Sequence, residues 1–476
     1  MHIILIFPKF SHPFNKLHKH VHLPLPLLQV SAPLVNNGFR VSIIDERVDN
    51  NYPQKLESLI DSQLIWIGIS AHLGSQLKNG IRISKWIKAR YPKIPIVWGG
   101  IFASLFPEML LEDSIADIIV RKEGEATALE LTRALKSQSD LAFVAGISFK
   151  EGPRVTNNKD RAFIDINQVP WLPYNLLDVK KYFCGNISSD KELCMITSRG
   201  CPYRCSFCYS QYYFNNIYRS MSADNVIAGI DRLKYFGADA IRIMDDNFFF
   251  DKQRIEDICS KIEEKNIKIK ISTTCMLKDF DAISPGYLRK LRKAGFVSLI
   301  MGIESLSYPQ AKRYFPHKQT DKEKLLFVNE ELIKADIIPK YLFLSGLPGE
   351  SEQDIRESIN IIFRLNSANK GKNYFGFNIL IPVPGTDMYK ECQNRGFKAP
   401  QNLREWGEYF SVYNNARSLS WLRYRTAVGL ELFKEYCERY LNPGNKRLSV
   451  VNRALREILR IIVSFILNTG PLHLTQ

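Results

Sequence analysis

The 476-residue chain is poor in the features that mark several protein classes. Nine cysteines are too few for a disulfide scaffold at this length, which argues against a small secreted fold and for a reducing compartment. Internal repeats, low-complexity segments and Lys/Arg blocks long enough to make a basic tail are missing. No run approaches the ~20 apolar residues of a membrane-crossing helix. The apolar stretch from Ile461 to Leu467 is far shorter and follows Arg460. Met1 to Phe10 lacks the charged n-region and small-residue cleavage site of a secretory signal, and Pro8 interrupts it early. That segment is expected to be a first β-strand, and the protein to be cytoplasmic.

What is present reads as globular: 45% hydrophobic and 24% charged residues, in a length that suggests two or three domains. The formal net charge of +16 fits nucleic acid, an anionic membrane surface or acidic small molecules, and equally a dispersed solvated surface.

Five short apolar runs, Ile3 to Phe7, Val41 to Asp45, Leu64 to Ser70, Pro95 to Gly99 and Asp117 to Arg121, alternate with helical patterns. They predict a doubly wound parallel sheet over residues 1–145, with its ligand at the carboxyl ends of the strands. Ser70, Gly99, Gly100, Glu123, Gly124 and Glu125 stand there, although the glycines also suit plain turns. Residues 146–190, with Gly152, Pro153, Pro170 and Pro173, predict a linker or a packed connection. Strands near Cys194 to Thr197, Ala240 to Met244, Lys268 to Thr273, Val297 to Gly302, Pro339 to Ser345 and Tyr374 to Leu380 predict a partial (β/α)6 barrel over 191–395. A helical region follows from 396 to 476, with amphipathic helices over Trp421 to Tyr440 and Leu448 to Leu467. The last of these suits packing onto the barrel or peripheral contact with a membrane.

Directly after the first barrel strand, Cys201, Cys205 and Cys208 stand at a C-x3-C-x2-C spacing. One compact loop can thus wrap three soft ligands around a metal. Structural zinc sites close with four protein ligands and no fourth lies near, whereas a [4Fe-4S] cluster on three cysteines keeps one iron open. A zinc loop completed by a distant residue and three unrelated buried cysteines are the alternatives. Cys194, within a strand, reads as a small buried hydrophobe, and Cys275, just past the third strand, as buried or facing the cavity.

This loop, with Phe207 before the last cysteine, resembles the signature of the radical S-adenosylmethionine superfamily. The resemblance covers roughly Leu193 to Arg395. It implies a [4Fe-4S] cluster on Cys201, Cys205 and Cys208 whose open iron binds S-adenosylmethionine and splits it to methionine and a 5′-deoxyadenosyl radical. Asp245, Asp246 and Asn247 match the segment that holds the methionine amino group, though Asp and Asn also suit a helix N-cap. Glu304 and Ser305 match the ribose-binding segment, and Gly346, in Ser345-Gly-Leu-Pro-Gly-Glu350, the segment along adenine.

The first domain resembles the cobalamin-binding domain that precedes the barrel in one branch of that superfamily. The D-x-H-x-x-G motif that supplies a histidine to cobalt is absent, and Phe102 stands where relatives often carry a histidine. The resemblance implies methylation of an unactivated carbon or phosphorus centre using cobalamin and two molecules of S-adenosylmethionine. Oxidative cyclisation or rearrangement of a lipid-like or tetrapyrrole substrate is the alternative, since hopanoid methylases and anaerobic porphyrin cyclases share this arrangement. Expected partners are a small-molecule or lipid-like substrate and an electron donor such as flavodoxin or ferredoxin. Nucleic acid is not expected, because the C-terminal 80 or so residues do not read as an RNA-binding barrel. A tRNA-modifying enzyme and a non-catalytic cluster scaffold remain as alternatives. His12, His18, His20 and His22 read as loop histidines or a metal-binding run.

Overall fold

The computed structural model describes residues 1–10, 21–186, 189–281, 285–318, 321–410 and 415–443. The expected helix over Leu448 to Leu467 and the histidines at 12, 18 and 20 lie outside these residues. The chain divides into two compact units, Met1–Cys184 with Pro400–Val412, and Gly185–Ala399 with Tyr413–Gln476. No helix among the described residues is long and apolar enough to cross a membrane.

The first unit is built on strands β1 (His2–Phe7), β2 (Arg40–Asp45), β3 (Leu64–Ser70), β4 (Ile96–Gly99), β5 (Ile118–Val120), β6 (Ile147–Glu151) and β7 (Arg154–Asn157), in the sheet order β2-β1-β3-β4-β5-β6-β7. The first five are parallel, as β-branched runs buried on both faces require. Trp66 and Trp98 are buried in the faces with their indole N–H groups satisfied by Thr132 and Ser84, each at 2.9 Å. The stretch expected as a linker is largely structured. Its first part is β6 and β7, an antiparallel hairpin on the sheet edge turned by Gly152-Pro153. Its hydrophobic alternation is too short to stand out from the polar residues around it. Further on, Tyr182 is buried and donates to Asp45 at 3.1 Å.

In the second unit β8 (Cys184–Asn186), β9 (Ser189–Met195), β12 (Ala240–Ile243), β13 (Lys270–Cys275), β14 (Phe296–Glu304), β15 (Ile338–Ser345) and β16 (Tyr374–Ile379) form one sheet. A two-stranded ribbon of β10 (Ser198–Arg199) and β11 (Arg219–Ser220) lies outside it. The six strands from β9 to β16 are parallel and follow one another in chain order, which makes the expected open half barrel. β9 starts five residues before the expected strand and stops at Met195, because Thr197 and Ser198 bond to a side chain instead of continuing the ladder. Between strands, helices start on caps the sequence supplies. Ser222, Asp251 and Asp321 each accept from a backbone N–H of the first turn, and Ser351 with Asp354 closes a capping box.

Beyond Pro400 the segments separate between the units. Leu403–Gly407 belongs to the first, and the helix Tyr424–Tyr436 with the wider turn Cys437–Leu441 to the second.

Candidate active site

The cysteine loop follows β9 and β10, at the carboxyl end of the half barrel. Cys205 is buried, Cys201 and Cys208 are partly exposed, and all three are free thiols. Gly200 begins the loop with φ +79°, and a Cβ there would sit 2.1 Å from the carbonyl oxygen of Ile217, so only glycine fits. Cys208 N–H donates to Cys205 O at 2.9 Å and Ser206 N–H to Tyr314 O at 2.7 Å. Burial pushes the thiols up, Cys205 to about 11 and Cys208 to about 12, with Cys201 raised in the same sense. Such thiols ionise only against positive charge, and a metal cluster supplies it. The field of Lys318 and the Asn247 side-chain N–H, 3.5 Å from Cys201 Sγ, also favour the thiolates. Three soft donors in this setting fit an iron-sulfur cluster. Among the described residues no three His, Cys, Asp or Glu side chains converge as they would around a single ion.

The two aspartates after β12 have different surroundings. Asp245 is enclosed and accepts from Thr197 N–H and Oγ1, both at 2.6 Å, and from Ser198 Oγ at 2.7 Å. Those bonds brace the loop and leave it no access to an ammonium group. Nor does it cap a helix, since Asp251 does that for the helix Lys252–Glu264. Asp246 keeps an exposed side, accepts from Gly200 N–H at 2.9 Å, and has its carboxyl pushed up by the protein packed around it. Of the pair, Asp246 is the carboxylate open to a ligand. Phe207 packs its ring edge-on to Phe315 at 6.1 Å.

Glu304 ends β14 with φ +63°, a left-handed conformation that a side chain other than glycine adopts only when its surroundings hold it there. Its carboxylate meets Lys318 at 2.5 Å, and Lys318 also donates to Gly302 O at 3.1 Å. Burial alone would lower the Lys318 pKa, but Glu304 and the nearby thiols outweigh it and raise it. Ser305 is buried and accepts from Ser307 N–H at 3.2 Å, a bond within the turn that follows β14. Gly346 follows β15 with φ +85°, and its N–H donates to Glu350 at 2.6 Å.

Lys318 and Arg254 carry no motif in the sequence. Arg254 is buried, donating to Thr197 O at 3.0 Å and to its hydroxyl at 2.6 Å. A basic residue aligned with the polar side of a helix gives no sign that it turns inward.

In the first unit Ser70 ends β3, Gly99 ends β4, and Gly100 follows with φ +95°. A Cβ on Gly99 would make only ordinary contact, with Val120 O at 3.6 Å, which leaves the backbone there open to close approach. That cradle fits a large planar cofactor. Glu123 and Gly124 lead into the helix Glu125–Ser137, whose first residue is buried. Phe102 is fully buried, 5.3 Å from Phe106 and 6.0 Å from Trp406. Burial holds His72 down to about 4, a neutral ring stacked on Phe410 at 5.9 Å.

Comparison with known proteins agrees with this division. The Radical SAM superfamily model matches residues 195–362 and the B12 binding domain model residues 18–132. An uncharacterized methyltransferase of Pyrococcus horikoshii is 25% identical over 476 residues, covering 97% of this chain and 98% of that one. An anaerobic magnesium-protoporphyrin IX monomethyl ester cyclase of Synechocystis sp. is 26% identical over 340 residues, 70% of this chain and 67% of that one. Among solved structures, the radical S-adenosylmethionine methyltransferase TsrM from Kitasatospora setae, with cobalamin and a [4Fe-4S] cluster bound, superposes with a TM-score of 0.68 at 17% identity. It covers 84% of this chain and 76% of that one, a likeness of fold. The chain thus carries a B12-binding domain over residues 18–132, followed by a radical S-adenosylmethionine domain over residues 195–362.

Proposed function

We propose that this protein is a cobalamin-dependent radical methyltransferase acting on a small molecule, with Cys201, Cys205 and Cys208 as the protein ligands of a [4Fe-4S] cluster. The observation that carries the reading is the set of three soft thiols, Cys205 buried and Cys201 and Cys208 partly exposed, on one eight-residue loop at the carboxyl end of a half barrel. When bound, the cluster supplies the electron that cleaves S-adenosylmethionine, and cobalamin supplies the methyl group. The chain's own residues position these groups. Asn247 donates to Cys201, Asp246 offers a carboxylate to the ammonium of S-adenosylmethionine, and Glu304, fixed by Lys318, faces the ribose. Gly346 makes the positive-φ turn that leads the segment after β15 along the adenine. Ser70, Gly99, Gly100 and the Glu123-Gly-Glu125 turn form the cobalamin side. Electrons come from a flavodoxin- or ferredoxin-like donor, and no nucleic acid takes part.

Methylation is supported by the Pyrococcus methyltransferase, which this chain matches from end to end. Oxidative cyclisation is the second reading, favoured by the match to the Synechocystis cyclase. Anaerobic reconstitution with iron, sulfide and hydroxocobalamin, followed by reductant and S-adenosylmethionine, tests the proposal. It expects 5′-deoxyadenosine from the wild type, none from Cys205→Ala, and cobalamin retained by both. A fully loaded cluster that yields no deoxyadenosine under any reductant would sink it.

A further inference from the structure

Alternation along the half barrel's strands separates two faces. On β12, Ile241 and Ile243 are buried, and Arg242 between them points the other way. On β15, Pro339, Tyr341 and Phe343 are buried, while Lys340, Leu342 and Leu344 face the concave side and keep partial exposure. Arg242 is level with Ser272 and Ser298 across the sheet. Lys340 lies one layer nearer the carboxyl ends, opposite Ile300. The next layer holds Gly302 and Leu342, so Lys340 sits roughly 7 Å below it, on the strand rise of two residues. Although β12 and β15 are separated by two strands, curvature brings the Arg242 and Lys340 charges within each other's field.

The balance of charge here is uneven. Among the described residues, Glu192 on β9 is the carboxylate whose field reaches Lys340, and its oxygen accepts from Ser272 at 3.2 Å. Among the described residues neither Arg242 nor Lys340 has a hydrogen-bond or ion-pair partner. A purely structural charge layer would pair its members, because two half-buried cations facing one another cost free energy. Burial, and then Arg242, lower the Lys340 pKa, a penalty that a bound anion removes. Above the cations the concave wall carries the apolar Leu342, Leu344 and 41%-exposed Met244, with the Glu304–Lys318 pair over Gly302.

We propose that Arg242 and Lys340 form a subsite inside the half barrel for the carboxylate or phosphate group of a substrate whose body is apolar. The inference rests on the radical methyltransferase reading for the word substrate, but its geometry stands without it. Arg242 offers a planar fork to two oxygens from β12, and Lys340 a point charge from β15. An apolar body then lies along Leu342 and Leu344 toward the cysteine loop.

Titration calorimetry on the reconstituted full-length protein with heptanoate, heptyl phosphate and 1-heptanol tests this. At least one anion should bind about tenfold or more tighter than heptanol, as expected for a charge-assisted pair. In Arg242→Gln/Lys340→Gln that preference should vanish while heptanol affinity, which reports an intact lumen, stays. Arg242→Lys, which keeps the charge but loses the fork, should lower the preference severalfold, and covers the case in which the double variant fails to fold. Heptyl phosphate binding tighter than heptanoate would assign the site to phosphate, and the reverse order to carboxylate. Equal affinity of wild type for the anions and heptanol, or an anion preference that survives the double substitution, would overturn the subsite. A wild type that prefers anions but forms no deoxyadenosine would retire the radical reading and leave the subsite standing.

Discussion

Asp245 accepts from both the backbone N–H and the hydroxyl of Thr197 at 2.6 Å, so the end of one barrel strand fixes the residue four positions before Cys201. Arg254 closes the network from the other side through the same hydroxyl. Asp245→Asn preserves the shape but sets an NH2 group against a donor. It should lower the stability of the cofactor-free protein by about 2 kcal/mol, the scale for a buried donor left without its acceptor. Urea denaturation measures it, and an unchanged midpoint would show that the loop is braced elsewhere.

The Glu304–Lys318 pair is enclosed, with side chains 13% and 11% exposed. Removing either partner alone strands a buried charge, at about 3 kcal/mol or more. Lys318→Met and Glu304→Gln should therefore each destabilise the cofactor-free protein more than half as much as the double variant. A double-mutant cycle by denaturation reads the coupling, and strict additivity would mean that the two side chains do not share one interaction.

The strands were legible because each carries its own signal. β-branched runs mark β1 to β5, and the cysteine spacing marks the loop after β9 without any knowledge of tertiary contacts. The edge hairpin β6–β7 was not, since four- and five-residue strands around a polar turn show too little alternation. Roles inside the motifs were only partly legible. Asp245 and Asp246 are neighbours with the same side chain, and only the fold decides that one turns inward to Thr197 and the other toward solvent. Lys318, fourteen residues past Glu304, reaches it through a turn that no local pattern announces.

Glu350 places one carboxylate oxygen under the Ser345 hydroxyl and the N–H groups of Gly346 and Leu347, yet its other oxygen is buried without a partner among the described residues. Burial outweighs those donors and raises its pKa from 4.5 to about 7. The folded value lies above the unfolded one, so this carboxyl's contribution is complete below pH ~4.5 and is lost as pH rises through about 7. Glu350→Gln should flatten the fall in stability across that window. If the wild type and the variant follow parallel stability curves from pH 4.5 to 7.5, the carboxyl is not the source.

Gly99 and Gly100 are adjacent, yet their substitutions should separate folding from cofactor binding. At Gly100, φ is +95° and a Cβ would stand 2.7 Å from the carbonyl oxygen of Ala71, a backbone atom that cannot swing aside. Gly100→Ala should cost about 1–3 kcal/mol in the cofactor-free protein, from positive-φ strain and the clash. At Gly99 the backbone is ordinary and a Cβ touches only Val120 O at 3.6 Å. Gly99→Val should leave the denaturation midpoint nearly unchanged while crowding the face where a cofactor would approach the end of β4. Cobalamin retained after gel filtration, read from its visible absorption, should therefore fall in Gly99→Val at full stability. Full retention there would move the cofactor away from this strand end, and with it the role assigned to Ser70 on the neighbouring strand.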